Sequence, residues 1–171
     1  MRSVVVVIFV LAAVGGAAAA QAAAIDGITI TNAGTYTAQT TSAPAQAGQQ
    51  SPTGTVGTDT AWHFVSQKAD VPGTVGAQFG IEFRIDGKPA GEDVTLHVVL
   101  TFPPQGIRNP NTGDVLHEAK IAFPNMRIGA LCVLGYGFDN AWEIVPGTWT
   151  EQIWYRDRML AERSFTVGKT E

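Results

Sequence analysis

The constraint that bears hardest on this chain is its punctuation. Nineteen glycines and nine prolines recur so often beyond residue 24 that few windows can hold a four-turn helix. Apolar side chains must then be buried from strands, and the hydrophobic pattern has the matching period of two. Phe79, Ile81, Phe83 and Ile85 share one face while Gln78, Gly80, Glu82 and Arg84 share the other, and Asp86-Gly87 ends the run. Val94, Leu96, Val98, Leu100 and Phe102 repeat the pattern with Thr95, His97 and Thr101 opposite, until Pro103-Pro104 stops the strand. Four turn formers follow between Ile107 and Asp114, after which Val115, Ala119, Ile121 and Phe123 resume the alternation. This spacing predicts an all-β chain: a single antiparallel sandwich of about 7–8 strands.

Two windows read either way. Thr58–Val71 is rich in strand formers, yet Trp62, Val65 and Ala69 also fit a helical face. Thr148–Val167 lacks Gly and Pro and holds helix formers over Glu151–Arg163, but Trp149, Ile153 and Tyr155 alternate, as do Phe165 and Val167 beyond a turn at Asp157-Arg158. A closing hairpin is the preferred reading there. Between a first strand at residues 25–41 and the rest of the sandwich at 62–168, residues 42–61 turn to Ser, Ala, Pro, Gln, Gly and Thr, with Asp59 the one charge. This polar, low-complexity stretch is expected to be either a mobile loop or the link from a docked N-terminal strand to a domain starting near Gly54.

The first 24 residues have the build of a secretory signal peptide: Arg2, an apolar Val4–Val14 run, then Ala and Gly. Small residues at Ala20, Ala22 and Ala24 allow cleavage after Ala22 or Ala24, which implies a periplasmic or secreted protein with no stable membrane insertion after cleavage. The alternative is an uncleaved anchor, since Val4–Ala20 approaches spanning length. A net charge of −4 disfavours a nucleic-acid partner. The lone Cys132 permits no internal disulfide and falls in step with Ile128, Ala130, Leu134, Tyr136 and Phe138, which makes it core filling rather than a nucleophile.

Searches for chemistry return little. His117-Glu118 begins like a zinc-protease helix, but Ile121 stands where the second histidine is required. No Gly-x-Ser-x-Gly elbow, phosphate loop or dinucleotide fingerprint occurs, so no catalytic residue, metal or cofactor is assigned. His97 should be exposed and His117, in step with Val115 and Ile121, should point inward. Asn109, Asn111 and Asp114 supply oxygen donors suited to calcium, although such residues chiefly build turns. Trp149 lies on the core face of its strand, whereas Trp154 lies on the opposite face with Gln152 and Arg156. Trp154 is either a contact surface, joined by His97 if their strands pair, or is covered by the polar segment or the N-terminal strand.

Gly76-Ala77-Gln78-Phe79-Gly80-Ile81-Glu82-Phe83, Phe102-Pro103-Pro104-Gln105-Gly106-Ile107-Arg108-Asn109-Pro110, Trp142-Glu143-Ile144-Val145-Pro146-Gly147-Thr148-Trp149 and Phe165-Thr166-Val167 together resemble a bacterial family known as domain of unknown function 3859. The resemblance covers roughly Ile25–Val167 and implies an immunoglobulin-like β-sandwich, often exported, with no assigned activity. Glu151 departs from the strand pattern, which calls for an apolar inward residue after Trp149. It suggests a frayed edge, a bulge or a local partner such as an arginine.

The leading functional expectation is therefore a non-catalytic module contacting an unknown protein or envelope partner. Its candidate contact residues are Trp154, Arg156, His97, Asn109 and Asn111. The alternatives are a small-ligand or glycan binder that stacks on Trp154, and a metal-dependent enzyme built from His63, His97 and His117.

Overall fold

The computed structural model describes residues 22–169. The element order is β1 (Ala24–Pro44), β2 (Thr55–Ser66), β3 (Asp70–Val71), β4 (Gln78–Lys88), β5 (Asp93–Thr101), β6 (Ile107–Arg108), β7 (Val115–Leu116), β8 (Glu118–Arg127), β9 (Leu131–Gly137), a 3₁₀ turn at Ala141–Glu143, β10 (Gly147–Tyr155) and β11 (Arg158–Val167). One sheet runs β2-β1-β4-β9 and the other β3-β11-β10-β5-β8, with β6 and β7 forming a small separate hairpin. Every pairing is antiparallel except that of β3 with β11. Eight strands of seven or more residues build the two layers, within the expected number. The expected signal peptide falls largely on residues 1–21, outside the described region. Of its last residues, Ala23 packs against the core and Ala24 pairs with Lys88.

The alternating residues of β4 and β5 meet between the sheets: Phe79, Ile81, Phe83 and Ile85 from one, Val94, Leu96, Val98 and Leu100 from the other, all buried. Each such side chain contributes about 1.5–3 kcal/mol by leaving water. Trp149 of β10 is fully buried among aromatic rings, with centroids 4.8 Å from Phe102, 5.2 Å from Tyr136, 5.5 Å from Phe138 and 5.6 Å from Phe79. Its indole N–H donates to the Val145 carbonyl at 2.8 Å, so the ring is buried without an orphaned donor. Opposite, β4 and β9 cross at Gly80 and Gly135, paired in register. A Cβ on Gly80 would strike the Leu134 carbonyl, and one on Gly135 the Phe79 carbonyl, so this crossing admits only glycine.

The window at 58–71 is strand through Ser66, and the last window is the β10–β11 hairpin. Its turn residues are Arg156 and Asp157, one position earlier than expected. Residues 42–61 differ more. Half of them are strand, because β1 runs on to Pro44 and β2 begins at Thr55. Up to Tyr36, β1 pairs with β4; from Thr35 to Pro44 it pairs with β2. The second stretch and the start of β2 thus form a two-stranded arm reaching beyond the end of β4. A register shift opposite Ala38, with Ala61 at φ 52°, marks a bulge at its base, and bulges bend and twist the strands that carry them. The tip is fastened to the other sheet: Gln50 and Lys120 exchange backbone hydrogen bonds at 2.9 and 3.0 Å, and the Gln49 amide donates to the Ala122 carbonyl at 3.0 Å. Polar composition hid this ribbon because its backbone is satisfied by pairing while few of its side chains are apolar.

A cleft between the sheets as the candidate functional site

Where the arm crosses from one sheet to the other, the sandwich has a core-like floor and a polar roof. The floor is Val98 and Leu100 of β5, Ala119, Ile121 and Phe123 of β8, and Leu134 of β9. The roof is the inward side of the arm, where Thr40 lies opposite Asp59, Ser42 opposite Gly57 and Pro44 opposite Thr55. Inner-face positions of a sandwich normally interdigitate as apolar side chains. Here hydroxyls and a carboxylate face Ile121 and Phe123, and a cleft of about 130 Å³ remains between them.

Asp59, Asp139, Glu143 and Glu151 line this cleft, and among the described residues no Lys, Arg or His does. Two of the acids have a donor on each carboxylate oxygen, with acceptor capacity left over. Asp59 accepts from the Tyr36 and Thr40 hydroxyls, each at 2.6 Å. Glu143, 1% exposed, accepts from the Tyr136 hydroxyl at 2.6 Å and from the Asn140 backbone and side-chain amides at 2.8 Å. Burial, reinforced by these acids, holds both phenols well above their ordinary titration range, so Tyr36 and Tyr136 are permanent donors.

Glu151 is different. It is 2% exposed, and its Oε2 is the one buried side-chain N or O among the described residues without a hydrogen-bond partner. It lies mid-strand in unbroken register, between Leu100 and Arg163 on its two neighbours. The frayed edge, bulge or arginine partner expected for it does not occur: the nearest register shift is after Ile153, Arg163 is exposed, and the two ion pairs among the described residues are Lys120–Glu118 and Arg127–Asp93. Desolvation pushes its carboxyl well above the usual carboxylate range, which favours its neutral form. Glu82, on the outer face, is the contrast. It accepts from the Trp62 indole at 2.9 Å and from Thr31 and Asn32 at 2.8 Å, and these bonds, led by that of Trp62, hold its carboxyl below the usual range.

The residues singled out from sequence lie elsewhere, in two places. Trp154 and His97 are register partners on the outer face of the β10–β5 pair. His97 is exposed, and Trp154 is half-buried with its indole donating to Gln152 at 3.1 Å. Arg156, exposed in the hairpin turn, stacks 5.0 Å over the Tyr155 ring. Asn109 and Asn111 sit in the β6–β7 turn. The Asn109 side chain is committed to structure, donating to the Pro52 carbonyl at the arm tip and accepting from the Asn111 backbone, both at 2.8 Å. His117, expected to point inward, is exposed, because the short β6–β7 hairpin ends at Leu116 and β8 starts afresh at Glu118. His63 is also exposed, and among the described residues no three His, Cys, Asp or Glu side chains gather to hold a metal. Cys132 is half-buried against the core, and burial pushes its thiol up. Among the described residues no helix is long and apolar enough to cross a membrane.

The sign of the Glu151 effect on stability follows from linkage. Its folded pKa lies above the unfolded value, so below the unfolded value both states are protonated and no penalty exists. As pH climbs past it, the unfolded chain ionises while the folded one does not, and stability falls until the buried carboxyl itself ionises. Glu151→Gln removes that dependence. In denaturant melts the variant should match the wild type at about pH 4, and its advantage should then grow by about 1.4 kcal/mol per pH unit above the ordinary glutamate range. A constant difference from pH 4 to 8 would contradict the burial of an uncompensated carboxyl.

Comparison with known proteins accords with this architecture. The chain is similar to an immunoglobulin-like protein from Pseudomonas aeruginosa, whose crystal structure superposes with a TM-score of 0.57 at 25% identity, covering 88% of this chain and 99% of that one. No curated protein gives a significant match. The family model described as Domain of unknown function (DUF3859) matches residues 28–167. A match over most of the chain, together with the immunoglobulin-like layering, shows that the chain belongs to this family of domains of unknown function.

Proposed function

We propose that this protein is an exported, non-catalytic binding module that takes its ligand in the cleft between its two sheets. One observation carries the reading: the exposed Thr40, Ser42 and Gly57 and the half-buried Asp59 line one side of a cleft whose other side is an apolar floor. A concave site with apolar walls and a few convergent polar groups is the usual make-up of a ligand pocket. The cleft suits binding rather than turnover, since its phenols are held protonated and the acids they meet are already hydrogen-bonded. Proton–nitrogen correlation spectra recorded with a panel of small amines, alcohols, carboxylates and sugars provide the test. Shifts should cluster at Gly57, Ala119 and Gly135, and Ser42→Leu, which fills the roof, should weaken binding by about ten-fold or more. Shifts centred on Trp154 and His97 would instead favour a second reading, a protein or envelope contact on the outer face, for which the side-by-side placement of those two residues speaks.

Export is supported by Arg2, the Val4–Val14 run and the small residues that follow. Of the two cleavage positions, the one after Ala22 retains both Ala23, which packs on the core, and Ala24, which pairs with Lys88. The intact mass of protein recovered from the native envelope should therefore correspond to a chain starting at Ala23. A mass that includes Met1–Ala22 would contradict export with cleavage.

A further inference from the structure

We infer that the cleft takes a protonated primary amine on a short alkyl stem, with the Glu151 carboxyl becoming its counter-ion. The inference rests on the reading of the cleft as the ligand site and names the chemistry of the ligand.

The first argument is the missing partner. Buried polar atoms in folded proteins are almost always paired, and an unpaired one costs about 1–3 kcal/mol. Glu151 Oε2 is such an atom, and its residue lines the cleft. What completes it must donate a hydrogen bond, and the charged form of Glu151 additionally needs a cation. The second argument is the surrounding charge. The titratable groups facing the cleft from the packed elements are Asp59, Asp139, Glu143, Tyr36 and Tyr136. All are acids or phenols, and Arg163, the cross-strand neighbour of Glu151, is exposed. An anion would enter a site with several carboxyl groups and no cation. A neutral alcohol would make one hydrogen bond and leave the field uncompensated. An ammonium gains from every acid present, and the low-dielectric surroundings strengthen its attraction to Glu151. An ion pair out of water is favourable only where further hydrogen bonds satisfy the ammonium, and the roof supplies oxygens on Thr40, Ser42 and Asp59.

The third argument is size and polarity. The cleft, at about 130 Å³, is close to the engineered apolar cavity of about 150 Å³ that admits benzene, a ligand of six heavy atoms. An alkyl stem of four or five carbons with a terminal nitrogen has about that bulk, and Val98, Leu100, Ile121 and Leu134 offer methylenes an apolar wall. A free aliphatic amine and a lysine side chain of a peptide share this chemistry. Proton balance gives a distinctive readout. Desolvation favours the protonated form of Glu151 in the free protein and the amine arrives protonated, so forming the ion pair moves a proton from Glu151 to the buffer.

The test is calorimetric titration of the full mature protein near pH 7 with n-pentylammonium, n-pentanol, n-pentanoate and N-acetyl-Gly-Lys-Gly-amide, in two buffers of different ionisation enthalpy. Pentylammonium should bind about ten-fold or more tightly than pentanol, pentanoate should not bind, and close to one proton should be released per amine bound. Glu151→Gln should abolish both the preference for the amine and the proton release. Glu151→Met, of similar volume, provides the same comparison if the glutamine variant does not fold. Binding of the peptide alone would assign the amine to a lysine side chain, and binding of pentylammonium alone to a free small molecule; either supports the inference. Equal binding of pentanol and pentylammonium, both blocked by Ser42→Leu, would overturn the amine assignment while leaving the cleft as the ligand site. Retention of the preference in Glu151→Gln, or the absence of proton release, would also overturn it. If no probe binds, the amine assignment falls, and the spectral panel that includes sugars decides separately whether the cleft is a ligand site.

Discussion

The register of β10 is the constraint on which the rest depends. Trp149 is locked among four aromatic rings and hydrogen-bonded to Val145, and Ile153 is fully buried four residues later. In a strand, side chains alternate, so two inward residues with an even spacing oblige the one midway between them to point inward as well. That residue is Glu151. Slipping the strand by one position would place Glu151 in water but would expose Trp149 and Ile153, at a cost of several kcal/mol in lost apolar burial. The carboxyl is therefore held inside by its neighbours, without a partner of its own.

Around this buried acid the two sheets do not close in the ordinary way. The arm formed by the end of β1 and the start of β2 leaves its own sheet, crosses the floor formed by β5, β8 and β9, and is fastened at Gln49 and Gln50 to β8 and at Pro52 to Asn109. The residues it contributes to the cleft include the exposed Thr40, Ser42 and Gly57 and the half-buried Asp59. Asp59 and Glu143 satisfy themselves with Tyr36 and Tyr136, which secures the roof and one wall. What is left is a slot with methylene-compatible walls, acidic character and one carboxyl awaiting a donor. The crossing of β4 and β9 at Gly80 and Gly135 brings the wall close enough that the Tyr36 hydroxyl lies 2.9 Å from where a Gly135 side chain would begin.

Much of this was legible in the sequence, and the part that was not has a physical reason. Period-two alternation located β4, β5, the closing hairpin and the inward Trp149, because those strands are buried on one face and wet on the other. The same logic marked Glu151 as an anomaly without indicating that it stays buried and unpaired. From sequence the arm is either a mobile loop or a link to a docked N-terminal strand, because hydrophobic pattern reports burial, and a polar ribbon whose pairing satisfies the backbone leaves no such trace. The cleft unites residues from β1, β2, β5, β8, β9 and β10, a convergence that local spacing does not encode. Asn109 was noticed for its oxygen and amide groups, which the fold uses to hold the arm tip. Trp154 stands out for its outward phase, which the structure has, while the inward phase of the same strand, three residues earlier at Glu151, holds the unsatisfied group.

The central claim is that Glu151 is a buried, unpaired acid whose partner in the cleft is a protonated amine. Its side-chain carboxyl carbon, followed by nuclear magnetic resonance across about pH 4–8 with and without n-pentylammonium, addresses that claim directly. The resonance should stay at the protonated position through neutral pH in the free protein and move to the ionised position when the amine is added. Titration in the ordinary glutamate range without ligand, or a carboxyl indifferent to the amine, would contradict it.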